Sequence, residues 1–269
     1  MHHMDDLYDK AADDFLQLAS SQRLHILFKL LVSKCTPTEV AKELDATKQE
    51  VHRNFSRLEE TGLIEKDKDG RYSLTTFGKT MCAQVPSLVF LSQNRKYFEG
   101  HTFADIPTKF MMRTGQLASG EHIKGVVKVL EKWKSIYKNA DEFIYEVLSE
   151  VPLDLIEPLV NRVKKGVHFM YVFSESAVVP AGRKELLKKL GFNKLIEKGD
   201  VERKMKKEVQ TVVVLNEKEA CVLFPNTEGE SDLSEMFYSS DPMFHEWCID
   251  YFRYCWYGSD VFKESKLKE

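Results

Sequence analysis

The sequence predicts a mixed α/β protein with two parts, a helix-rich N-terminal domain that ends in a β-hairpin and a larger C-terminal domain with a mainly parallel sheet. Before about residue 99, short apolar helical stripes alternate with capping residues, and one pair of short strand-like runs follows them. Beyond residue 114, strand-like and helical runs alternate, as in βαβ units. A length of 269 residues is enough for two such domains.

The overall composition is that of an ordinary globular protein, with 43% hydrophobic and 30% charged residues. The formal net charge of -3 gives no sign of a nucleic-acid partner, so any basic surface must be local. No apolar run is long enough to span a bilayer, and Asp5, Asp6 and Asp9 interrupt any signal-peptide core. The five cysteines form no CxxC pair, which is typical of a reducing compartment. We therefore expect a cytoplasmic protein with no membrane partner.

Four helices and a hairpin are predicted in the N-terminal part. The residues that cap these helices are Ser20, Thr36, Thr47 and Gly62. Strand-like runs at 63–66 and 71–74 flank Asp69-Gly70, a pair that favours a hairpin turn. A long apolar helix is expected from Thr76 to about Tyr97, with a kink or a break at Pro86. It would link the two parts and contribute a dimer contact.

The remaining chain predicts an irregular joint at residues 101–113 and then the α/β domain. Strands are expected at 143–148, 167–173, 209–215 and 220–224, and helices at 121–139, 152–165, 183–190 and 244–257. The domain organisation that follows is residues 1–78 for the N-terminal domain, 79–113 for the linker and joint, and 114–269 for the C-terminal domain.

The fourth predicted helix has a polar face suited to DNA. Its apolar residues Val51, Phe55 and Leu58 fall at the spacing that packs against a preceding helix. The opposite face carries Lys48, Gln49, His52, Arg53 and Ser56. Arginine can contact guanine, glutamine can contact adenine, and hydroxyls can contact phosphate or base, which is the chemistry of major-groove recognition.

Two further groups of residues extend the predicted DNA contact. Thr47 and Arg57 flank the polar face, and Lys66, Lys68 and Arg71 lie on the hairpin. Each of these two stretches carries a small local surplus of positive charge. A surplus of this size predicts salt-sensitive binding with few phosphate contacts per subunit.

Two phrases in this region carry a family resemblance. Residues 58–64 read Leu-Glu-Glu-Thr-Gly-Leu-Ile, and residues 72–78 read Tyr-Ser-Leu-Thr-Thr-Phe-Gly. The segment resembles the winged helix-turn-helix of ArsR-like and MarR-like regulators. The resemblance implies double-stranded DNA as the partner, a homodimer as the working form, and transcription regulation as the function.

The C-terminal half has a resemblance of its own. The order of its elements is similar to the effector domain of TrmB-type archaeal regulators, which has a phospholipase D-like fold. The phrase at residues 241–252, Asp-Pro-Met-Phe-His-Glu-Trp-Cys-Ile-Asp-Tyr-Phe, resembles archaeal regulators related to the methanogen filament-forming regulatory protein. These resemblances imply a domain that senses an effector or assembles the protein.

The residues argue against catalysis in this domain. Phospholipase D chemistry needs a His-x-Lys pair, and His168-Phe169-Met170 lacks the lysine. The chain has no Gly-x-Ser-x-Gly phrase and no glycine-rich phosphate loop. We therefore expect no catalytic residue and no cofactor.

A small-molecule effector site is expected at the carboxyl ends of the parallel strands. That position places Ser149, Glu150, Ser174 and Glu175 near one another, with His245 and Trp247 as possible walls. The carboxylates favour a polar or cationic effector, although the two serines can equally be helix caps.

Two alternatives to an effector-sensing DNA reader stay open. One is a metal- or thiol-responsive sensor of the ArsR type, because His245, Cys248 and Cys255 fall on one helical stripe and Cys82 lies in the linker helix. Two or three mixed ligands without a CxxC pair favour core packing over a metal site, so no metal is expected. The other is a protein-interaction scaffold that uses its winged helix without DNA.

Overall fold

The structure, a computed structural model, describes residues 2–177 and 179–267, with side chains from residue 8 onward. The chain divides into two compact units, residues 1–85 and residues 86–269, called unit 1 and unit 2 below. The boundary falls inside a helix, next to Pro86. In the described residues, no helix combines the length and the apolar character needed to cross a membrane.

Unit 1 consists of helices followed by a two-stranded antiparallel hairpin, in the predicted order. Its elements are α1 (His2–Leu18), α2 (Ser21–Val32), α3 (Pro37–Glu43), α4 (Lys48–Glu60), β1 (Ile64–Lys66), β2 (Tyr72–Leu74) and the start of α5 (Thr76–Gln93). The hairpin pairs Ile64 with Leu74. Helix α5 continues across Pro86, so the proline does not split it.

Local capping chemistry explains where the helices of unit 1 begin. The Ser20 and Thr47 side chains accept hydrogen bonds from backbone N–H groups in the first turns of α2 and α4. Thr36 and Glu39 form a reciprocal capping box at α3. Between α3 and α4, Asp45 adopts a left-handed backbone conformation with φ of 48°, which makes the connection short. These caps fix the register of α4, the helix with the polar face.

Thr75 and Gly78, in the phrase at residues 72–78, have structural roles that explain why these residue types occur there. The Thr75 hydroxyl donates to the Gly62 carbonyl at 2.6 Å and accepts from the Gly78 N–H at 3.0 Å. A Cβ at Gly78 would lie 2.0 Å from the Leu63 carbonyl oxygen, so only glycine fits there. These contacts join the hairpin and the start of α5 to the end of α4.

Unit 2 is an α/β fold built on an eight-stranded mixed sheet, as counted over the described residues. Its strands are β3 (Glu121–Lys124), β4 (Phe143–Leu148), β5 (His168–Ser174), β6 (Val201–Lys206), β7 (Val212–Asn216), β8 (Ala220–Leu223), β9 (Glu235–Ser239) and β10 (Asp260–Val261). Its helices are the end of α5, α6 (Thr108–Met111), α7 (Val126–Asn139), α8 (Leu153–Val163), α9 (Arg183–Lys189), α10 (Phe192–Lys198) and α11 (Pro242–Tyr257), with short 3-10 helices at Tyr97–Glu99, Thr114–Leu117 and Glu264–Lys266.

The expectation of a mainly parallel sheet is wrong. The strand order is β10-β6-β5-β4-β7-β8-β9-β3, and among the described strands only β4–β5 and β5–β6 pair in parallel. Helical crossovers connect those two pairs, whereas β7, β8 and β9 follow one another as an antiparallel meander. The short connection from Asn216 to Ala220 is too brief for a crossover, which forces the antiparallel arrangement.

Two hydrophobic clusters cover the two faces of this sheet. One contains Trp133, from α7, with residues of α8. The other contains Trp247, from α11, with Phe110 from the predicted joint. The Trp247 indole N–H donates to the Phe110 carbonyl at 3.1 Å, so residues 101–113 contribute to the core of unit 2. Residues 121–124, expected as the start of a helix, form strand β3 instead.

Candidate nucleic-acid interface

Helix α4 places the predicted recognition residues on one exposed face. Val51, Phe55 and Leu58 are buried in the core of unit 1. The face away from that core carries the exposed residues Lys48, Gln49, His52, Arg53 and Ser56. Thr47 is the N-cap and Arg57 is exposed in the last turn. The face is free to meet a partner because its anchoring side chains all lie on the other side.

A buried polar contact fixes α4 against the start of α2. Asn54 is largely buried and donates to the Gln22 side-chain oxygen at 2.7 Å. Gln22 in turn donates to a Glu50 carboxylate oxygen at 2.8 Å. The chain of hydrogen bonds occupies the one carboxylate in the first turn of α4, so Glu50 is held beside α2.

Beside this contact lies a polar cleft of about 550 Å³ that the sequence did not indicate. Three arginines line it, Arg23 from α2 and Arg53 and Arg57 from α4, with Ser20, Ser21 and Glu50 completing the wall. Burial lowers the pKa of Arg23, and the positive charge of Arg57 lowers it further. In the described part of the chain, none of the three arginines forms an ion pair. Like charges gathered in this way favour an anionic partner such as phosphate.

Arg23 also makes hydrogen bonds to α1 that limit the movement of its side chain. Its guanidinium donates to the carbonyls of Leu16 at 2.7 Å and Gln17 at 3.0 Å, at the end of α1. The arginine thereby covers exposed carbonyls of that helix. Its position is therefore fixed before any ligand arrives. The separation of 30 residues between Arg23 and Arg53 explains why sequence reasoning missed the pairing.

The hairpin presents exposed lysines, while its arginine is held by other residues. Lys66 and Lys68 are exposed. Arg71 donates to the Lys34 carbonyl at 2.6 Å and lies 3.6 Å from Glu39. Asp67 accepts backbone hydrogen bonds within the turn, and its hydrogen bond with Lys34 holds the pKa of that carboxyl below its usual range. The hairpin thus offers two free cations to a partner, and Arg71 serves first to hold the turn.

The strand-end residues predicted for an effector site lie at neighbouring strand ends, and most of them already contact other residues of the chain. Ser149 is buried against Ser231, and Ser174 is fully buried beside Ser176. Glu150 is exposed, and Glu175 forms an ion pair with Lys266. Ser149 and Glu150 follow β4, Ser174 is the last residue of β5, and Glu175 comes directly after it.

His245 and Trp247 do not form walls of that site, and the expectation is wrong. His245 hydrogen-bonds the carbonyl of Asn216, a residue that pairs with Ile144 near the start of β4. Because β7 runs antiparallel to β4, its end lies at the opposite edge of the sheet from Ser149. Trp247 is fully buried in the core and offers no surface to a ligand.

The cysteines of the proposed metal or thiol sensor are all buried. Cys248 and Cys255 lie in the core beneath α11, and Cys82 lies in the core of unit 1. Burial raises the pKa of Cys255 to about 11 and also raises the pKa values of Cys248 and Cys82, which disfavours reactive thiolates. Over residues 2–177 and 179–267, no three His, Cys, Asp or Glu side chains converge as metal ligands would.

One buried carboxylate in unit 2 has an unusual environment. Glu146, on β4, receives hydrogen bonds from the Trp133 indole at 3.0 Å and from the Tyr137 hydroxyl, both on the same oxygen. Its other oxygen is buried and has no partner among the described residues. Burial raises the pKa of Glu146 to about 7, against the opposing effect of the two donors. Glu146 lines none of the five cavities described here.

Comparison with known protein families gives one match, in the N-terminal part of the chain. The sequence model of the family described as HVO_A0261 N-terminal domain matches residues 12–93. This stretch contains the end of α1 and all of the elements from α2 to α5. No functionally curated protein matches the sequence.

Several solved structures match the chain at low sequence identity and low TM-score. TrmBL2, an archaeal chromatin protein, is 11% identical with a TM-score of 0.42, over 90% of this chain and 93% of that one. NucT from Helicobacter pylori is 12% identical with a TM-score of 0.41, over 53% of this chain and 98% of that one. Nuc from Salmonella typhimurium, a phospholipase D family member, is 13% identical with a TM-score of 0.41, over 54% and 99%.

Proposed function

We propose that the chain is a sequence-specific DNA-binding transcription regulator. Unit 1 acts as a winged helix-turn-helix in which α3 and α4 are the helix pair, α4 enters the major groove, and the β1–β2 hairpin is the wing. The observation that carries the proposal is the exposed polar face of α4, opposite its buried anchors. Its arginine, glutamine and hydroxyl groups match the donors and acceptors of base edges.

The cleft beside α4 supports the same function. It gathers Arg53 and Arg57 of α4 with Arg23 of α2, and we propose that a phosphate of the DNA backbone binds there. Arg53 belongs both to the exposed face of α4 and to the lining of the cleft. We assign Arg23 and Arg57 to phosphate contact, and Gln49 and Arg53 to base contact.

The regulator is proposed to work as a homodimer that is controlled through unit 2. Two copies of α4 would enter successive major grooves about 34 Å apart on one face of the duplex. Unit 2 is proposed to be non-catalytic and to bind an effector whose occupancy changes the affinity for DNA. Such coupling requires an effector that binds two states of the protein unequally.

The experiment that tests this function is selection of genomic DNA fragments by the purified chain, repeated with Arg53→Ala. We expect one enriched sequence for the parent protein and loss of that enrichment for the variant. Lys10→Ala is the matched control, because Lys10 is an exposed cation of unit 1 on α1. It should select the same sequence as the parent. Failure of the parent to enrich any sequence at low salt would refute DNA reading and leave a protein-interaction scaffold.

A further inference from the structure

One basic segment of unit 2 is the pair of short helices α9 and α10. Residues 183–198 contain six cations against two glutamates, whereas the whole chain has a net charge of -3. The cations of this segment are Arg183, Lys184, Lys188, Lys189, Lys194 and Lys198. Neither the predicted DNA contact nor the predicted effector site uses any of them.

A cavity of about 420 Å³ opens beside these helices. Its lining includes Lys184, Lys188, Phe192, Asn193, Arg203 and Glu264. Three of these residues are cations and one is a carboxylate. An apolar floor with a few convergent polar groups is typical of small-molecule sites.

Arg183, a nearly buried arginine, precedes the lining residue Lys184 and lies near the lining residue Glu264 without lining the cavity itself. Arg183 is 6% exposed, and its guanidinium lies 5.7 Å from the centre of the Phe173 ring. Its ion-pair partner among the described residues is Glu264, at 3.8 Å, beyond hydrogen-bond distance. A nearly buried guanidinium whose carboxylate partner is this distant can be bound more closely by a better-placed anion.

Arg203 brings a second guanidinium to the same carboxylate. It pairs with Glu264 at 2.9 Å and stacks on Phe262 with 4.2 Å to the ring centre. Tyr171, its partner in the strand register, has a buried hydroxyl without a hydrogen-bond partner in the described chain. Arg183 and Arg203 therefore share the carboxylate of Glu264. This carboxylate is half-exposed and belongs to the C-terminal segment.

We propose that the cavity at Arg183 and Arg203 binds a small anion through a carboxylate or phosphate group, and that Glu264 occupies this position in the free protein. Guanidinium groups bind both kinds of anion with paired hydrogen bonds, and Lys184 and Lys188 add charge at the mouth. An incoming anion displaces the Glu264 carboxylate. A duplex backbone is disfavoured because Arg183 is enclosed and only a compact group reaches it.

This site differs from the expected effector site in position and in charge. Carboxylates at the strand ends favoured a cationic effector, whereas the Arg183 and Arg203 pair selects an anion. The inference concerns unit 2 alone, so it stands or fails independently of DNA reading by α4.

The test is calorimetric titration of the full chain at low ionic strength with inorganic phosphate and, separately, with succinate. We expect saturable binding of at least one of the two, and the preferred probe identifies the anion class. Glu264→Gln removes the internal competitor, so the preferred probe should bind about fivefold more tightly, as for release from a surface ion pair. Arg203→Gln should abolish binding.

Two controls keep the result decisive. Lys198→Gln removes a cation of α10 that pairs with Asp200 outside the cavity, and it should bind as the parent does. Glu264→Gln leaves both arginines in place, so it tests the site even if Arg203→Gln fails to fold. The proposal is overturned if Glu264→Gln binds neither probe, or if a folded Arg203→Gln binds as tightly as the parent.

Discussion

The ionisation of Glu146 predicts a pH-dependent stability of unit 2. The folded protein holds the Glu146 proton up to about pH 7, whereas the unfolded chain releases it near the ordinary pKa of 4.5. The free energy of unfolding therefore falls as pH rises through this window. The contribution of the buried neutral carboxyl is fully present below pH 4.5 and is lost above pH 7.

The size of the effect follows from the displacement of the pKa. Raising the pKa of a carboxyl from 4.5 to about 7 lowers the stability of the folded protein by about 3 kcal/mol once the group is ionised. Glu146→Gln keeps the shape and an acceptor for Trp133 and Tyr137 but cannot ionise. We expect this variant to lose the part of the pH dependence of the unfolding free energy that comes from Glu146. Burial lowers the pKa of His122, which gives a pH dependence of opposite sign, but that contribution is common to both proteins and cancels in the comparison.

The assay is urea denaturation of the full chain at pH 5 and pH 8, followed by tryptophan fluorescence. All three tryptophans, Trp133, Trp247 and Trp256, belong to unit 2, so the signal reports that unit. Between the two pH values, the parent should lose about 2.5 kcal/mol more stability than Glu146→Gln does, because part of the effect is already present at pH 5. Equal losses in the two proteins would refute the reasoning.

Three further predictions concern unit 1. Arg23→Ala should weaken DNA binding about equally for all sequences. It should also reduce the slope of log affinity against log salt concentration by about 0.9, as for one lost phosphate contact. Titrations at several salt concentrations would measure this slope, and an unchanged slope would exclude Arg23 from the interface. Gly78→Ala should destabilise unit 1 by at least about 2 kcal/mol in calorimetry, because the added Cβ meets the Leu63 carbonyl, whereas the adjacent Lys79→Ala should change little. Thr47→Ala should destabilise unit 1 by about 1 kcal/mol through loss of the α4 cap, and unaltered melting would show that this cap is dispensable.

The fold of unit 1 was largely predictable because its signals are local. Thr36 and Thr47 cap helices within one turn, and Gly62 ends a helix through its own backbone conformation. The Asp69-Gly70 pair likewise sets the hairpin turn from adjacent residues. Each of these signals acts within a few residues, so the sequence alone carries them.

The sheet of unit 2 was harder to predict because strand pairing is not local. The run 212–216 reads as a buried strand in either direction, and only the meander that follows it fixes its antiparallel pairing with β4. Strand β6 contains Glu202, Arg203 and Lys204, a polar pattern that hides a strand in the sequence. The sequence therefore predicts the α/β class but not the strand order.

The candidate sites likewise divide into local features, which the sequence predicts, and features that join distant segments, which it does not. The polar face of α4 follows from helical periodicity, so its five residues were found from the sequence. The Arg23 cleft joins two helices far apart in the sequence, and the Arg183–Arg203–Glu264 cluster joins three separate segments. His245 and Trp247 were misplaced because their location depends on the direction of β7 and on core packing.

The most direct test of the central proposal is the affinity of the purified chain for the duplex it selects, measured against a scrambled duplex of the same length and salt. We predict at least about a thousandfold preference for the selected duplex, the lower end of the range of specific DNA readers. In Arg53→Ala that preference should fall by about tenfold or more, while binding to the scrambled duplex weakens much less. Equal affinity of the parent protein for the two duplexes would contradict the account.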